Sequence, residues 1–248
     1  MTLSNSPQAV VTGAGSGIGL ATGRRLVREG FSVIAIDRDD SGLERAAAEG
    51  MTPMKADLAS TEERDKVVAA AAGSSCLVNA AGIIVLKPIL EVTIEDLETV
   101  YRINVQAVWD LTARIGSAMA AGSSIVNLSS SSAKLATTTE AAAYASTKAA
   151  VLSLTRSFAY AFAARDVRVN AVCPGIIDTP MQDAVLAKVA AARGVPINEL
   201  VAARNAVVPL NRAASADECA STIWFLLSSE SSYMTGQAMN VTGGLVMH

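Results

Sequence analysis

Two hydrophobic rhythms alternate along the chain. Short β-prone runs occur at Gln8 to Thr12, Ser32 to Ile36, Thr52 to Ala56, Ser75 to Val78, Ser124 to Leu128 and Val167 to Val172. Between them lie longer segments whose apolar positions recur at helical spacing. After the first run, Ile18, Ala21, Leu26 and Val27 form one apolar side of a helix. Further helices are expected over Gly42 to Glu49, Thr61 to Ala72, Thr93 to Val100, Tyr101 to Ala121, Ala141 to Ala164, Ala184 to Arg193 and Ala216 to Leu227. A last strand is expected at Ala238 to Val241. Alternation of strand and helix at this rhythm predicts an α/β fold, a parallel sheet with helices on both faces. Ligands then sit beyond the carboxyl ends of the strands. Gly13, Asp37, Asp57 and Asn79 all fall at such ends.

No linker, repeat or low-complexity tract interrupts the chain, so residues 1–248 are expected to form one domain. The pattern weakens from Met181 to Arg212, a length after a strand end that suits a substrate lid. The helix from Ala141 is apolar around much of its circumference (Val151, Leu152, Leu154, Phe158, Phe162), which predicts a subunit interface as well as core packing.

Composition narrows the function. Hydrophobic residues make up 51% and charged residues 17%, with a formal net charge of −3. There is no electrostatic case for nucleic acid or an anionic membrane, and 4% aromatics offer no base-stacking platform. No run approaches the about 20 apolar residues that span a bilayer. Met1 to Pro7 is short and polar, unlike a secretory signal, and a cytoplasmic location is expected. Cys76, Cys173 and Cys219 have neither disulfide-framework nor zinc spacing, and no metal is expected. The single histidine is His248, so a Ser-His-Asp or Cys-His hydrolase lacks its base.

Candidate chemistry lies in three places. The run Gly13-Ala14-Gly15-Ser16-Gly17-Ile18-Gly19 joins a strand to a helix, where glycines admit a diphosphate and the helix N-terminus supplies free N–H groups. Its spacing departs from the usual G-x-G-x-x-G fingerprint. Asp37, about 20 positions on, is placed to hold a ribose diol and to repel a 2′-phosphate, which favours NAD over NADP. Arg38 beside it could stack on adenine or meet a phosphate. Tyr144 and Lys148 lie one helical turn apart. A phenol titrates near about pH 10, and a neighbouring cation is expected to lower that value toward a usable acid/base. By its residue type alone, Asn104 reads as a satisfied structural amide, and Cys173 as a small buried hydrophobe.

Together these motifs resemble the short-chain dehydrogenase/reductase family from about Gln8 onward. In order they are Thr12-Gly13-x-x-x-Gly17-x-Gly19, Asp57-Leu58, Asn79-Ala80-Ala81-Gly82, Asn104, the serines after Leu128, Tyr144-x-x-x-Lys148 and Pro174-Gly175-x-x-x-Thr179. The resemblance implies a Rossmann-type doubly wound sheet. It implies a pyrophosphate cradle at Gly13, Ser16, Gly17, Ile18 and Gly19, adenosine contacts from Asp37, Asp57 and Leu58, and a wall near the nicotinamide ribose from Asn79 and Gly82. Pro174, Gly175, Ile177 and Thr179 would seat the carboxamide end. Tyr144 would exchange the hydroxyl proton, Lys148 would bind ribose and lower the Tyr144 pKa, and Asn104 would support a proton relay. A serine would orient the substrate oxygen. The strand end selects Ser130 and the commonest spacing from Tyr144 selects Ser131; Ser130 is preferred, because insertions sit more easily in loops. Ala80 departs from the family's usual second Asn.

The expected activity is hydride transfer between NAD(H) and a secondary alcohol or ketone. The tail Gly236 to Gly244 is similar to those of polyol and sugar-alcohol dehydrogenases, so a polyol or small hydroxy compound leads. NADPH-linked reduction of a 3-oxoacyl thioester is the alternative, and a non-catalytic NAD(H)-binding sensor or scaffold is the alternative of another class. A homotetramer is expected, since the helices Tyr101–Ala121 and Ala141–Ala164 pair across subunits in relatives.

Overall fold

A computed structural model describes residues 6–136 and 138–248. The polar leader therefore lies mostly outside the described residues. Seven parallel strands form one sheet in the order β3-β2-β1-β4-β5-β6-β7, with β1 at Gln8–Thr12, β2 at Ser32–Asp37, β3 at Thr52–Lys55 and β4 at Cys76–Asn79. β5 is Ser124–Leu128, β6 Arg168–Pro174 and β7 Ala238–Val241. The helices are α1 (Gly17–Arg28), α2 (Asp40–Ala48), α3 (Thr61–Ala70), α4 (Ile94–Tyr101), α5 (Val108–Ala118), α6 (Ala142–Phe162), α7 (Pro180–Arg193), α8 (Ile197–Ala206) and α9 (Ala216–Leu227).

The strands read as continuous apolar runs because both faces of the sheet are covered. In β1, Ala9 and Val11 pack with Leu26, Ile223 and Leu226 on one side, while Val10 joins Leu77, Leu111, Ile125 and Val151 on the other. This alternation follows from the two-residue period of a strand. The strand order turns back between β1 and β4, which opens a crevice beyond their carboxyl ends.

A polar thread crosses the second layer. Asn79 Nδ2 donates to Thr112 Oγ1 (3.0 Å) and to Asn127 Oδ1 (2.8 Å), and Asn127 Nδ2 donates to Thr155 Oγ1 (3.0 Å). It fixes β4 against β5, where Asn79 and Asn127 are register partners, and pins both to α5 and α6. In a low-dielectric core such bonds carry directional specificity that apolar packing lacks.

The expected elements shift in instructive ways. The two helices read at Thr93–Val100 and Tyr101–Ala121 are one rod, α4 and α5 joined through a π-helical stretch at Arg102–Ala107 that contains Asn104. β6 runs on through Cys173 to Pro174, because β7 pairs alongside and Gly175 N–H donates to Val241 O (2.9 Å). The weak stretch after Met181 holds two helices. α7 starts four residues earlier than expected because Thr179 caps it, accepting from Gln182 N–H, and Pro180 suits the first turn.

Arg168 at the start of β6 has carbonyls where a carboxylate partner would be expected. Its guanidinium donates to Leu226 O (2.8 Å), Leu227 O (3.2 Å), Ser228 O (3.0 Å) and Ser231 Oγ (2.8 Å), closing the end of α9. Cations are favoured at helix C-termini, where carbonyls are unpaired. Arg168→Leu is expected to cost about 2–4 kcal/mol by leaving several acceptors unmatched. Urea unfolding followed by circular dichroism measures this, and a change within error would mean solvent replaces the guanidinium.

Candidate active site

The strand ends converge on a cavity of about 860 Å³. Gly13, Ser16, Gly17, Ile18 and Gly19 line one end of it. Gly13 has φ +66°, and a Cβ there would lie 2.8 Å from the Ala81 backbone. A Cβ on Gly19 would lie 2.1 Å from the Gly13 carbonyl oxygen, so no side chain fits. The glycines thus serve a close turn between β1 and α1 in spite of the altered spacing. Ser16 stands at the N-cap of α1 with no side-chain capping bond, and the first turn carries no acid. The end of the helix dipole is therefore left for an anionic ligand.

Asp37, Asp57 and Leu58 line the next part of the cavity. The Asp37 carboxylate accepts from Gly15 N–H (2.9 Å), Arg38 N–H (2.7 Å) and Asp39 N–H (3.1 Å). These bonds fix its direction at the end of β2. Leu58 is held from behind: Arg64 donates to Leu58 O (2.7 Å) and pairs with Asp110 (2.7 Å), clamping this loop to α5.

Ser130, Tyr144 and Lys148 line the same cavity, with Lys148 Nζ 5.6 Å from the Tyr144 ring centre, and Pro174, Gly175, Ile177 and Thr179 line it too. Lys148 is 4% exposed, and its Nζ donates to Leu128 O (2.8 Å) at the end of β5. A Cβ on Gly82 would lie 3.4 Å from Lys148 Nζ and 3.3 Å from Asn104 Oδ1, so only glycine leaves these polar atoms open. The Ser130 hydroxyl faces the Tyr144 phenol closely enough to favour its ionised form. Ser131 also lines the cavity, but no such effect on Tyr144 comes from it.

The electrostatics correct one expectation. Burial pushes the Tyr144 phenol up to about 12, and Ser130 offsets this only in part. Burial lowers the Lys148 ammonium to about 8. At neutral pH the pair is a neutral phenol beside an ammonium. Desolvation acts on both groups, and in this protein it exceeds their mutual effect.

Two expected site residues lie behind the wall and do not line it. Asn79 is 2% exposed and turned into the Thr112–Asn127 thread. Asn104, fully buried in the π-helical stretch, accepts from Ile83 N–H (2.9 Å) and donates to Ile83 O (2.9 Å) and Thr147 Oγ1 (3.0 Å). Its geometry holds the Gly82–Ile83 backbone, and π-helical insertions are frequent beside functional sites. Cys173 is fully buried, with its thiol pushed up by burial, as expected of a small hydrophobe.

Other lining residues were not among the expected ones. Ile83, Ile84 and Leu86 come from the loop after β4, Glu140 from the loop before α6, and Leu245 from the tail. Met181, Gln182, Val185, Lys188, Val189, Ala192 and Arg193 form one face of α7. The 3.6-residue spacing of that face was visible in the sequence; Leu245, more than 100 residues from its cavity neighbours Tyr144 and Ser130, left no local signal. Among the described residues no three His, Cys, Asp or Glu side chains form a metal-binding group, and no helix is long and apolar enough to cross a membrane.

A glycine cradle under an open helix end, an acidic residue at the next strand end and a buried Tyr–Lys pair fit a nicotinamide dinucleotide. Comparison with known proteins agrees. A family model described as enoyl-(acyl carrier protein) reductase matches residues 13–246. The chain is 36% identical to the 3-oxoacyl-(acyl-carrier-protein) reductase of Thermotoga maritima, covering 96% of this chain and 97% of that one. It is also 36% identical to a galactitol 2-dehydrogenase (L-tagatose-forming) of Cereibacter sphaeroides, over 95% and 93% of the two chains. A solved short-chain dehydrogenase family protein from Francisella tularensis superposes with a TM-score of 0.90 at 30% identity, covering 96% of this chain and 98% of that one. With the strand order, the glycine cradle and matches over nearly its whole length, the chain belongs to the short-chain dehydrogenase/reductase family and is an oxidoreductase of alcohols and ketones.

Proposed function

We propose that the protein catalyses reversible hydride transfer between NAD(H) and the carbinol carbon of a small secondary alcohol. The observation that carries this is the meeting of Ser130, Tyr144 and Lys148 in one cavity with the dinucleotide cradle. When bound, the nicotinamide supplies the two-electron chemistry. Gly13, Ser16, Gly17, Ile18 and Gly19 would hold the diphosphate, Asp37 the ribose diol, and Asp57 and Leu58 the adenine. Pro174, Gly175, Ile177 and Thr179 would seat the carboxamide end, with Gly82 beside the nicotinamide ribose. In reduction, Tyr144 donates its proton to the substrate oxygen, and its raised pKa keeps that proton in place at neutral pH. In oxidation the ionised form of Tyr144 accepts the proton, and the Ser130 hydroxyl and the nearby Lys148 ammonium favour that form against burial. Ser130 orients the substrate oxygen. Asn79 and Asn104 act as positioning residues, Asn104 through the Ile83 backbone and Asn79 through the thread between β4 and β5.

The substrate end of the cavity favours a compound with an apolar body over a polyol. Ile83, Ile84, Leu86, Val185, Val189 and Leu245 supply the apolar part of its wall, beside the polar Gln182, Lys188, Glu140 and Arg193. α7 and α8 form the lid: α8 buries no residue and is tied down by Arg204–Asp178 (3.1 Å) and contacts with α7. Segments with little buried apolar surface open at low free-energy cost. A homotetramer fits exposed Trp109 and Tyr160 on α5 and α6.

Two substitutions test this reading. Absorbance at 340 nm (the signal of the reduced nicotinamide) follows turnover, and Tyr144→Phe is expected to lower kcat about 10²–10⁴-fold while NADH still binds; unchanged turnover would remove Tyr144 from the chemistry. Asp37→Ser is expected to shift the NAD/NADP preference in kcat/KM at least about tenfold toward NADP, and a parent enzyme that already prefers NADP would overturn the Asp37 assignment.

Lys148 also makes a stability statement. Its folded value of about 8 lies below the ordinary 10.5, so between these limits the unfolded chain binds more protons and stability rises with pH. The cost of the buried charge near neutrality is on the order of 3 kcal/mol. Lys148→Met is expected to abolish activity, raise the neutral-pH melting temperature of the dinucleotide-free protein, and remove the stability gain between pH 8 and 10. A melting temperature that falls at every pH would show that the bond to Leu128 O outweighs desolvation.

A further inference from the structure

α7 lies across the cavity mouth. Its first turn follows Thr179, whose side chain would be 3.2 Å from a Cβ on Gly17 in the diphosphate loop. Its last turn brings Arg193 near enough to Glu140, before α6, to help hold that carboxyl below its ordinary value. The helix thus runs from the dinucleotide end to the far rim. Leu186 and Ala190 face inward to the protein, while Val185, Lys188, Val189, Ala192 and Arg193 line the cavity.

Cations outnumber carboxylates on this rim. Four cations line it: Lys87, Lys188, Arg193 and Arg204. Lys87 is paired with Asp96 (2.6 Å) and Arg204 with Asp178 (3.1 Å). Among the described residues, Lys188 and Arg193 have no ion-pair partner within bonding distance. Besides Asp96 and Asp178 the rim carries Glu140, to which Thr138 Oγ1 already donates; the cavity's other lining acids, Asp37 and Asp57, belong to the adenosine end. Lys188 and Arg193, both exposed and without a bonded carboxylate, stand beside an apolar wall, a surface suited to an amphiphilic anion.

We infer that the substrate carries an anionic group, a carboxylate or a phosphate, on an apolar carbon skeleton, and that Lys188 and Arg193 bind this group as specificity determinants. The inference rests on the hydride-transfer reading and narrows it. The skeleton packs on Val185, Val189 and the Ile83–Ile84 wall, with the reacting carbon toward Tyr144. The same chemistry has two sources: a free hydroxy or oxo acid, or a thioester whose carrier bears a phosphate.

The test compares matched substrates on the purified protein with NAD or NADH. Hydroxy and oxo acids of four to eight carbons are assayed beside their neutral methyl esters. Short acyl thioesters are assayed as neutral cysteamine derivatives beside coenzyme A thioesters. The expected result is kcat/KM at least tenfold higher for the charged member of a pair, falling as salt rises. Lys188→Met with Arg193→Met is expected to raise KM for that member tenfold or more, leaving kcat, the neutral member and NADH affinity unchanged. Preference for the free acid identifies the first source, and preference for the coenzyme A thioester the second. Equal or better turnover of the neutral members overturns the inference and leaves the hydride-transfer reading standing. An equal KM rise for charged and neutral members would also overturn it, since packing alone would explain that result. No turnover of any pair, with NADH still bound, counts against the hydride-transfer reading and takes the inference with it.

Discussion

One buried ammonium organises the site. Lys148 lies on α6 almost without solvent, held by the last carbonyl of β5, with Gly82 and Asn104 beside it. A charge in such a place is unfavourable unless polar atoms are brought to it from several directions. Here the bonded partner comes from β5, as Leu128 O, with the Tyr144 ring 5.6 Å away on the same helix. Ser129 reinforces the joint from the strand side, donating to Lys148 O (2.8 Å). β5 and α6 therefore cannot separate at this point without stranding the charge.

The rear wall and the helices over the cavity are built on different physics. Behind the cavity the Asn79–Asn127–Thr155 thread and the two apolar layers fix the strands in register. Over the cavity, α7 rests on Leu186 and Ala190, and α8 buries nothing. A rigid rear wall suits proton transfer, which depends on sub-ångström placement, and a loosely held cover suits entry and release of substrate.

Desolvation explains where sequence reasoning about charge went astray. A Tyr and a Lys one turn apart suggest a lowered phenol value, and that logic holds where both groups stay hydrated. Burial of both reverses the order of effects, and burial is a property of the packed molecule. The same holds for Asn79 and Asn104. Their motifs placed them near the cofactor, but whether an amide faces the cavity or braces its wall depends on partners such as Thr112, Asn127 and Thr147, contributed by other elements.

The sequence by itself determined the alternation of strands and helices, hence a parallel sheet, its ligand edge, and the glycine loop, Asp37 and Tyr144–Lys148 as chemistry on that edge. These follow from local periodicity and from residue types that few other environments tolerate. Only the tertiary structure decided the strand order, the brace formed by Asn79 and Asn104, the values of Tyr144 and Lys148, and the reach of Leu245 and α7 into the cavity. Each of these depends on which distant segments meet, and burial, dielectric and unpaired charge exist only once they have.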